Sequence, residues 1–262
     1  MARHINASLL LLHVYQVPVT VSEVPMLMIN ADELKDDTGS KLEELRQMVV
    51  RTTLGSVPVF TQSRLGSVGT ELDDVCQHIH PFAVVMGTHG SSKTGRAVFG
   101  STSLAAIRRL HVPVLVIPPG VVFRPVRKIG LACDLKKVEA STPAREIKAI
   151  VKAFGAELHV LNVDCHFEHF APAGREQTAA LHNLFEELQP HYHFIYRDNI
   201  EASLDDFAQR NQIDFLIVVP KRHAFPEGLF HKSCSKKLAT QAHVPVMAIH
   251  EPVAEPARPM EV

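Results

Sequence analysis

The chain has no tryptophan, three tyrosines and four cysteines in 262 residues. Cys76, Cys133, Cys165 and Cys234 stand apart without a Cys-x-x-Cys pair. That spacing speaks against a disulfide framework or a redox dithiol, and for reduced, buried thiols. No apolar run approaches the ~20 residues that a membrane helix needs, and the leucine-rich stretch from Ser8 to Val14 contains His13 and has the length of a strand. Although that stretch follows Arg3, its leucines make a poor signal-peptide core and no small-residue cleavage site follows. A net charge of −1 and a pI near 7.0 give no electrostatic case for a nucleic acid or a membrane partner. A phosphate-binding Gly-x-x-x-x-Gly-Lys-Ser/Thr run is missing as well. Carboxylates are absent from the whole interval between Asp74 and Asp134. These absences lead us to expect a cytoplasmic protein.

Within the acid-free interval lies the most informative segment. The apolar run Phe82-Ala83-Val84-Val85-Met86 leads into Gly87-Thr88-His89-Gly90, and nine residues later Gly100-Ser101-Thr102-Ser103 opens a helical pattern from Leu104 to Leu110. Glycines let backbone N–H groups approach an anion, and the unpaired N–H groups and positive dipole end of a helix starting near Ser101 attract one. The chemistry implied is recognition of nucleotide phosphates. Lys93 and Arg96 are placed to neutralise the anion, whereas Arg108 and Arg109 read as a solvated helix face. His89 reads as a hydrogen-bond partner within the turn. With no carboxylate to hold Mg²⁺ or position an attacking group, the loop reads as a binding site and argues against efficient hydrolysis.

The chain also repeats itself. His111-Val112-Pro113-Val114-Leu115-Val116-Ile117 returns 132 positions later as His243-Val244-Pro245-Val246-Met247-Ala248-Ile249. Residues 81–86 correspond to 214–219, and residues 7–14 to 156–163. Two copies of one α/β unit suit the length, since each needs roughly 100 to 150 residues. The break falls at Pro118-Pro119-Gly120, which neither helix nor central strand continues comfortably. We expect a first unit over 1–121, a second over 122–252, and a tail over 253–262. In the second unit the pattern places strands at 128–132, 157–163, 193–196, 215–219 and 246–249. Helices follow at 143–154, 177–188, 200–211 and 233–242, with Ile147, Ile150, Val151 and Phe154 at helical spacing. Short apolar strands alternating with helices of about three turns mean doubly wound parallel sheets.

Gly87, Gly90, Gly100 and Ser101, with the Val-Pro-Val strand behind them, resemble the universal stress protein family, whose ATP-binding members carry this spacing. The resemblance covers nearly the whole chain. It implies two tandem doubly wound parallel-sheet domains of strand order 3-2-1-4-5, with the closing strands pairing across a pseudo-twofold axis. It also implies that the first domain is N-terminally incomplete. Residues 1–7 resemble the end of the family's first helix and run straight into its second strand, so the central first strand is missing. Met1 is then either internal to a longer chain or the start of a remodelled half. The first half should hold four strands of its own. In the family an Asp at the end of the first strand meets the adenine; Asp134 takes that place in the second half, whose loop lacks the glycines and reads Val219-Pro220-Lys221-Arg222-His223 and Lys232-Ser233. One half has the phosphate loop without the Asp, and the other has the Asp without the loop.

Sixteen histidines raise the question of a metal. His166 and His169 follow the carboxyl end of a strand while His191 and His193 precede the next, so nearly 20 Å of strand separates them, at about 3.3 Å per residue. No shared metal site is expected, and only a local group of Asp164, Cys165, His166 and His169 stays open.

The expectation is a stress-response sensor or regulator that binds ATP or another adenine nucleotide, with or without Mg²⁺, through Gly87, Thr88, His89, Gly90, Gly100, Ser101, Thr102 and Ser103. At most one nucleotide binds per chain, and a homodimer is open. Two alternatives remain: a partner-binding structural protein without nucleotide, and a weak ATPase.

Overall fold

A computed structural model describes residues 1–16, 31–88, 101–163, 172–196, 200–220 and 243–252. The chain forms two compact units, Met1–His80 and Pro81–Val262.

The first unit contains β1 (Leu9–Tyr15), α1 (Ala31–Thr52), β2 (Val59–Leu65) and α2 (Val68–Ile79). β1 and β2 pair in parallel, from Leu9↔Val59 to Tyr15↔Leu65. α2 starts because the Ser67 side chain accepts a hydrogen bond from the Thr70 N–H. It ends at His80, whose left-handed φ of 46° lets its N–H reach the Cys76 carbonyl.

The second unit opens with β3 (Val84–Gly87), α3 (Ser101–Arg109) and β4 (Val114–Ile117). It continues with β5 (Lys128–Ala132), α4 (Val138–Ser141), α5 (Ala144–Phe154), β6 (Glu157–Val163), α6 (Pro172–Phe185), β7 (His191–Ile195), α7 (Ile200–Arg210), β8 (Phe215–Val218) and β9 (Val246–Ala248). Its seven strands run in the order β3-β4-β9-β8-β5-β6-β7. Every neighbouring pair is parallel except β4 and β9. Numbered within the second copy, β7-β6-β5-β8-β9 is the expected order 3-2-1-4-5.

The first copy's four strands fall in two sheets, β1-β2 and β3-β4. Among the described residues none supplies the strand that β5 provides in the second copy. β3 and β4 instead extend the second copy's sheet, because β4 meets β9 edge to edge through Val114↔Ala248, Leu115↔Met247 and Val116↔Val246. Shifting one copy by 132 positions turns this register into itself, with Leu115 opposite Met247 at the centre. The two closing strands thus meet as two identical subunits would across a twofold axis.

The core of this unit sits on both faces of β5, β6 and β8. Ile129, Leu131, Leu158, Leu161, Leu216 and Ile217 are buried from the sheet, while Ile147, Ile150, Val151 and Phe154 bury one face of α5. α5 then stops at Gly155, whose φ of 59° is left-handed. Three elements depart from the sequence reading. α6 begins at Pro172, since proline's fixed φ suits a first helical turn and Gly174 is accommodated within it. β7 begins at His191, because His191 pairs with His159 on β6 and stacks on its ring, which also bonds to His193. α4 was not anticipated, and its Val138 N–H is held by the Gln177 side chain at 2.8 Å. The helix expected over 233–242 lies outside the described residues.

Candidate functional site

Gly87 is the last residue of β3 and pairs with Ile117 on β4. The Thr88 N–H continues the ladder by donating to the Ile117 carbonyl at 3.2 Å, and the Thr88 side chain is buried. From the first turn of α3, the buried Ser103 hydroxyl donates to the Gly87 carbonyl at 2.9 Å. This bond pins the amino end of α3 against the carboxyl end of β3. The N–H groups of a first helical turn have no partner within the helix. Here that turn carries no acidic side chain.

Gly87 has no positive φ, so its backbone does not require glycine. No atom of the described residues lies within 4 Å of a Cβ added there, so their packing does not require glycine either. Among the described residues nothing fills the space between this strand end and the helix amino terminus, the geometry that suits a phosphate. Thr102 is exposed and Ser101 is the first residue of α3. His89, Gly90 and Gly100, together with Lys93 and Arg96, lie outside the described residues. Arg108 and Arg109 are exposed in the last turn of α3, at the end remote from Gly87.

At the carboxyl end of β5, Cys133 donates its N–H to the Leu161 carbonyl at 3.0 Å. Its own carbonyl accepts from the Asn162 amide at 2.9 Å. The exposed Asp134 folds its carboxylate onto the Lys136 N–H at 3.1 Å, closing a local turn. Pro220 is buried after β8 and has no N–H to offer an anion. The Tyr192 hydroxyl on β7 is buried, and burial together with the nearby Cys133 pushes its pKa up to about 12.

The sequence reading missed a cluster at the opposite, amino end of the sheet. His159 Nδ1 lies 3.0 Å from His193 Nε2, and His159 Nε2 lies 3.2 Å from Glu157 Oε2. The His191 ring stacks on His159 at 5.0 Å. Only the register of β6 against β7 brings these residues together, although the alternation of His191 and His193 on one strand was the available signal. Burial holds both His159 and His193 below the ordinary histidine value. Among the described residues no three ligating side chains are disposed to hold a metal. Asp164, Cys165, His166 and His169 lie outside them.

Residues 1–118 match the profile of the Universal stress protein family. Across the whole chain the fold is similar to a universal stress protein from Archaeoglobus fulgidus, at 18% identity and a TM-score of 0.69, covering 95% of this chain and 90% of that one. It is also similar to a functionally unknown protein from Pseudomonas aeruginosa, at 15% identity and a TM-score of 0.59, covering 94% and 83%. No curated protein matches in sequence. Among the described residues no helix is long and apolar enough to cross a membrane.

Proposed function

We propose, for a chain whose residues 1–118 match the universal stress protein family, that the first copy binds ATP or another adenine nucleotide and that the protein works as a stress-response sensor or regulator in the cytoplasm. The phosphates lie on Gly87, Thr88, His89, Gly90, Gly100, Ser101, Thr102 and Ser103. The observation that carries this reading is the Ser103 bond to the Gly87 carbonyl, which holds an acid-free helix amino terminus beside the end of β3. Because no carboxylate stands between Asp74 and Asp134, any Mg²⁺ enters on the nucleotide's own phosphates. For the same reason the site binds its nucleotide and does not turn it over efficiently.

The two sequence copies, 1–121 and 122–252, are proposed as tandem domains followed by a tail over 253–262. In the second, Val219 and Pro220 stand where the first copy has Gly87 and Thr88, and Pro220 offers no N–H, so the stoichiometry is one nucleotide per chain. β4 and β9 already cover each other's edges within one chain, so a homodimer has to use another surface. Mass spectrometry of small molecules released from the purified, denatured protein tests the reading. An adenine nucleotide is expected in the spectrum, and it should be lost from Gly87→Val. A clean spectrum, together with no thermal shift on adding ATP, would contradict it.

A further inference from the structure

A polar side chain buried on a strand needs a partner for each of its polar atoms, because an unpaired one forfeits its hydration for nothing in return. Asn162 on β6 is 5% exposed, and its amide donates to the Cys133 carbonyl at 2.9 Å. Its Oδ1 atom is buried with no partner among the described residues, and on β7 the Tyr192 hydroxyl is in the same state. The ladders bring both atoms to one thiol. Leu131 pairs with Val160 and Val160 with Tyr192, and side chains alternate along a strand, so Cys133, Asn162 and Tyr192 share one face of the sheet. Cys133 is a free cysteine and part-exposed, where Cys76 is buried. Buried thiols were expected from the sequence, and Cys133 departs from that. Its sulfur accepts the Leu135 N–H at 3.4 Å, a bond that favours a thiolate. Burial, with Cys133 nearby, pushes the Tyr192 pKa up to about 12, so the hydroxyl keeps its proton and serves as a donor.

We propose that Cys133 is a modification site, a thiol that hydrogen peroxide converts to a sulfenic acid held by Asn162 Oδ1 and the Tyr192 hydroxyl. The thiol first gives its proton to solvent, and the thiolate attacks one peroxide oxygen. The S–O bond forms as the O–O bond breaks, so sulfur gives up two electrons and the peroxide takes them. The Tyr192 hydroxyl donates a hydrogen bond to the departing oxygen, which takes a proton from solvent and leaves as water. The oxygen left on sulfur keeps its hydrogen and donates it to Asn162 Oδ1. Thiol and peroxide thus give sulfenic acid and water. Cys76 is the internal control, because burial and the nearby Asp73 push its thiol up and away from the reactive thiolate.

The test treats the reduced full chain with hydrogen peroxide in the presence of dimedone, which traps sulfenic acid, or with iodoacetamide, and follows each thiol by peptide mass spectrometry. Dimedone should label Cys133 ahead of Cys76. The ratio of peroxide to iodoacetamide rates at Cys133 should exceed that of free glutathione at least about fivefold, the factor of one hydrogen bond to the departing oxygen. Alkylation depends on access and thiolate but not on that donor, so Tyr192→Phe should slow the peroxide reaction about fivefold and leave the iodoacetamide rate unchanged. Because the variant deletes a hydroxyl without a partner among the described residues, its urea midpoint should not fall. Equal slowing of both reactions, a ratio at Cys133 no higher than that of glutathione, or dimedone on Cys76 in preference to Cys133 overturns the proposal. The ratio is measured on the unsubstituted chain, so it decides even where Tyr192→Phe fails to fold. None of these readouts requires nucleotide, so the result stands apart from the function proposed above.

Discussion

Gly87 and Gly130 are both strand glycines, and their surroundings give them opposite tasks. Around Gly130 the neighbours Leu216, Ile213 and Leu161 close in to 2.7, 3.2 and 3.2 Å of a missing Cβ, so its task is packing. Gly130→Ala is expected to cost about 1–3 kcal/mol in urea unfolding through overpacking. Gly87 has no such neighbours among the described residues, so Gly87→Val should change stability by less than about 0.5 kcal/mol, valine being favourable in a strand. A large loss in Gly87→Val would show that its glycine serves the fold and not a ligand. Ser103→Ala removes the bond to the Gly87 carbonyl and is expected to cost about 1–2 kcal/mol. Spacing alone exposed the glycines, because a backbone cradle needs no partner side chain. The role of Ser103 was not legible, since its bond to Gly87 spans sixteen residues and depends on where α3 docks.

Titration belongs to the same scale. His159 and His193 are held below the ordinary value of 6.5 chiefly by burial, with His191 and Lys128 adding like charge and Glu157 partly offsetting this at His159. Below that value the unfolded chain takes up protons that the folded chain refuses, so stability falls as pH drops through and below 6.5 and is fully present above it. Urea midpoints at about pH 7.5 should therefore exceed those at about pH 5.5, and the difference should shrink in a His159→Leu, His193→Leu double variant. An unchanged difference would place the proton uptake elsewhere.

Among the elements, the closing strands carry the largest consequence. Leu115 and Met247 face each other at the centre of the β4–β9 pairing, and both are buried. Leu115→Ala and Met247→Ala are each expected to cost about 2–5 kcal/mol. The double variant should cost less than the sum, because the two residues share one contact. Additive losses would mean that they do not pack on each other. The repeated His-Val-Pro-Val motif made this pairing legible, and the apolar stripe of Ile147, Ile150, Val151 and Phe154 did the same for α5. The start of β7 was not legible, because His191 looks like a loop residue until His159 is set beside it. Pro172 and Gly174 likewise look like breakers until the one is found opening α6 and the other lying within it.

For the whole molecule, the internal repeat, read with the order of one intact copy, carried most of the fold. The repeat alone did not show that β3 and β4 would join the second copy's sheet while β1 and β2 pair apart from it, since that division depends on a strand between them and on the β4–β9 edge. The same asymmetry sets the central claim, a single phosphate-binding cradle in the first copy and none in the second. Calorimetric titration of the chain with ATP tests it most directly, using the unsubstituted protein and Gly87→Val side by side. The account requires one site per chain, abolished in a Gly87→Val protein whose unfolding midpoint is unchanged. Two equivalent sites per chain, or undiminished binding in that variant, would contradict it.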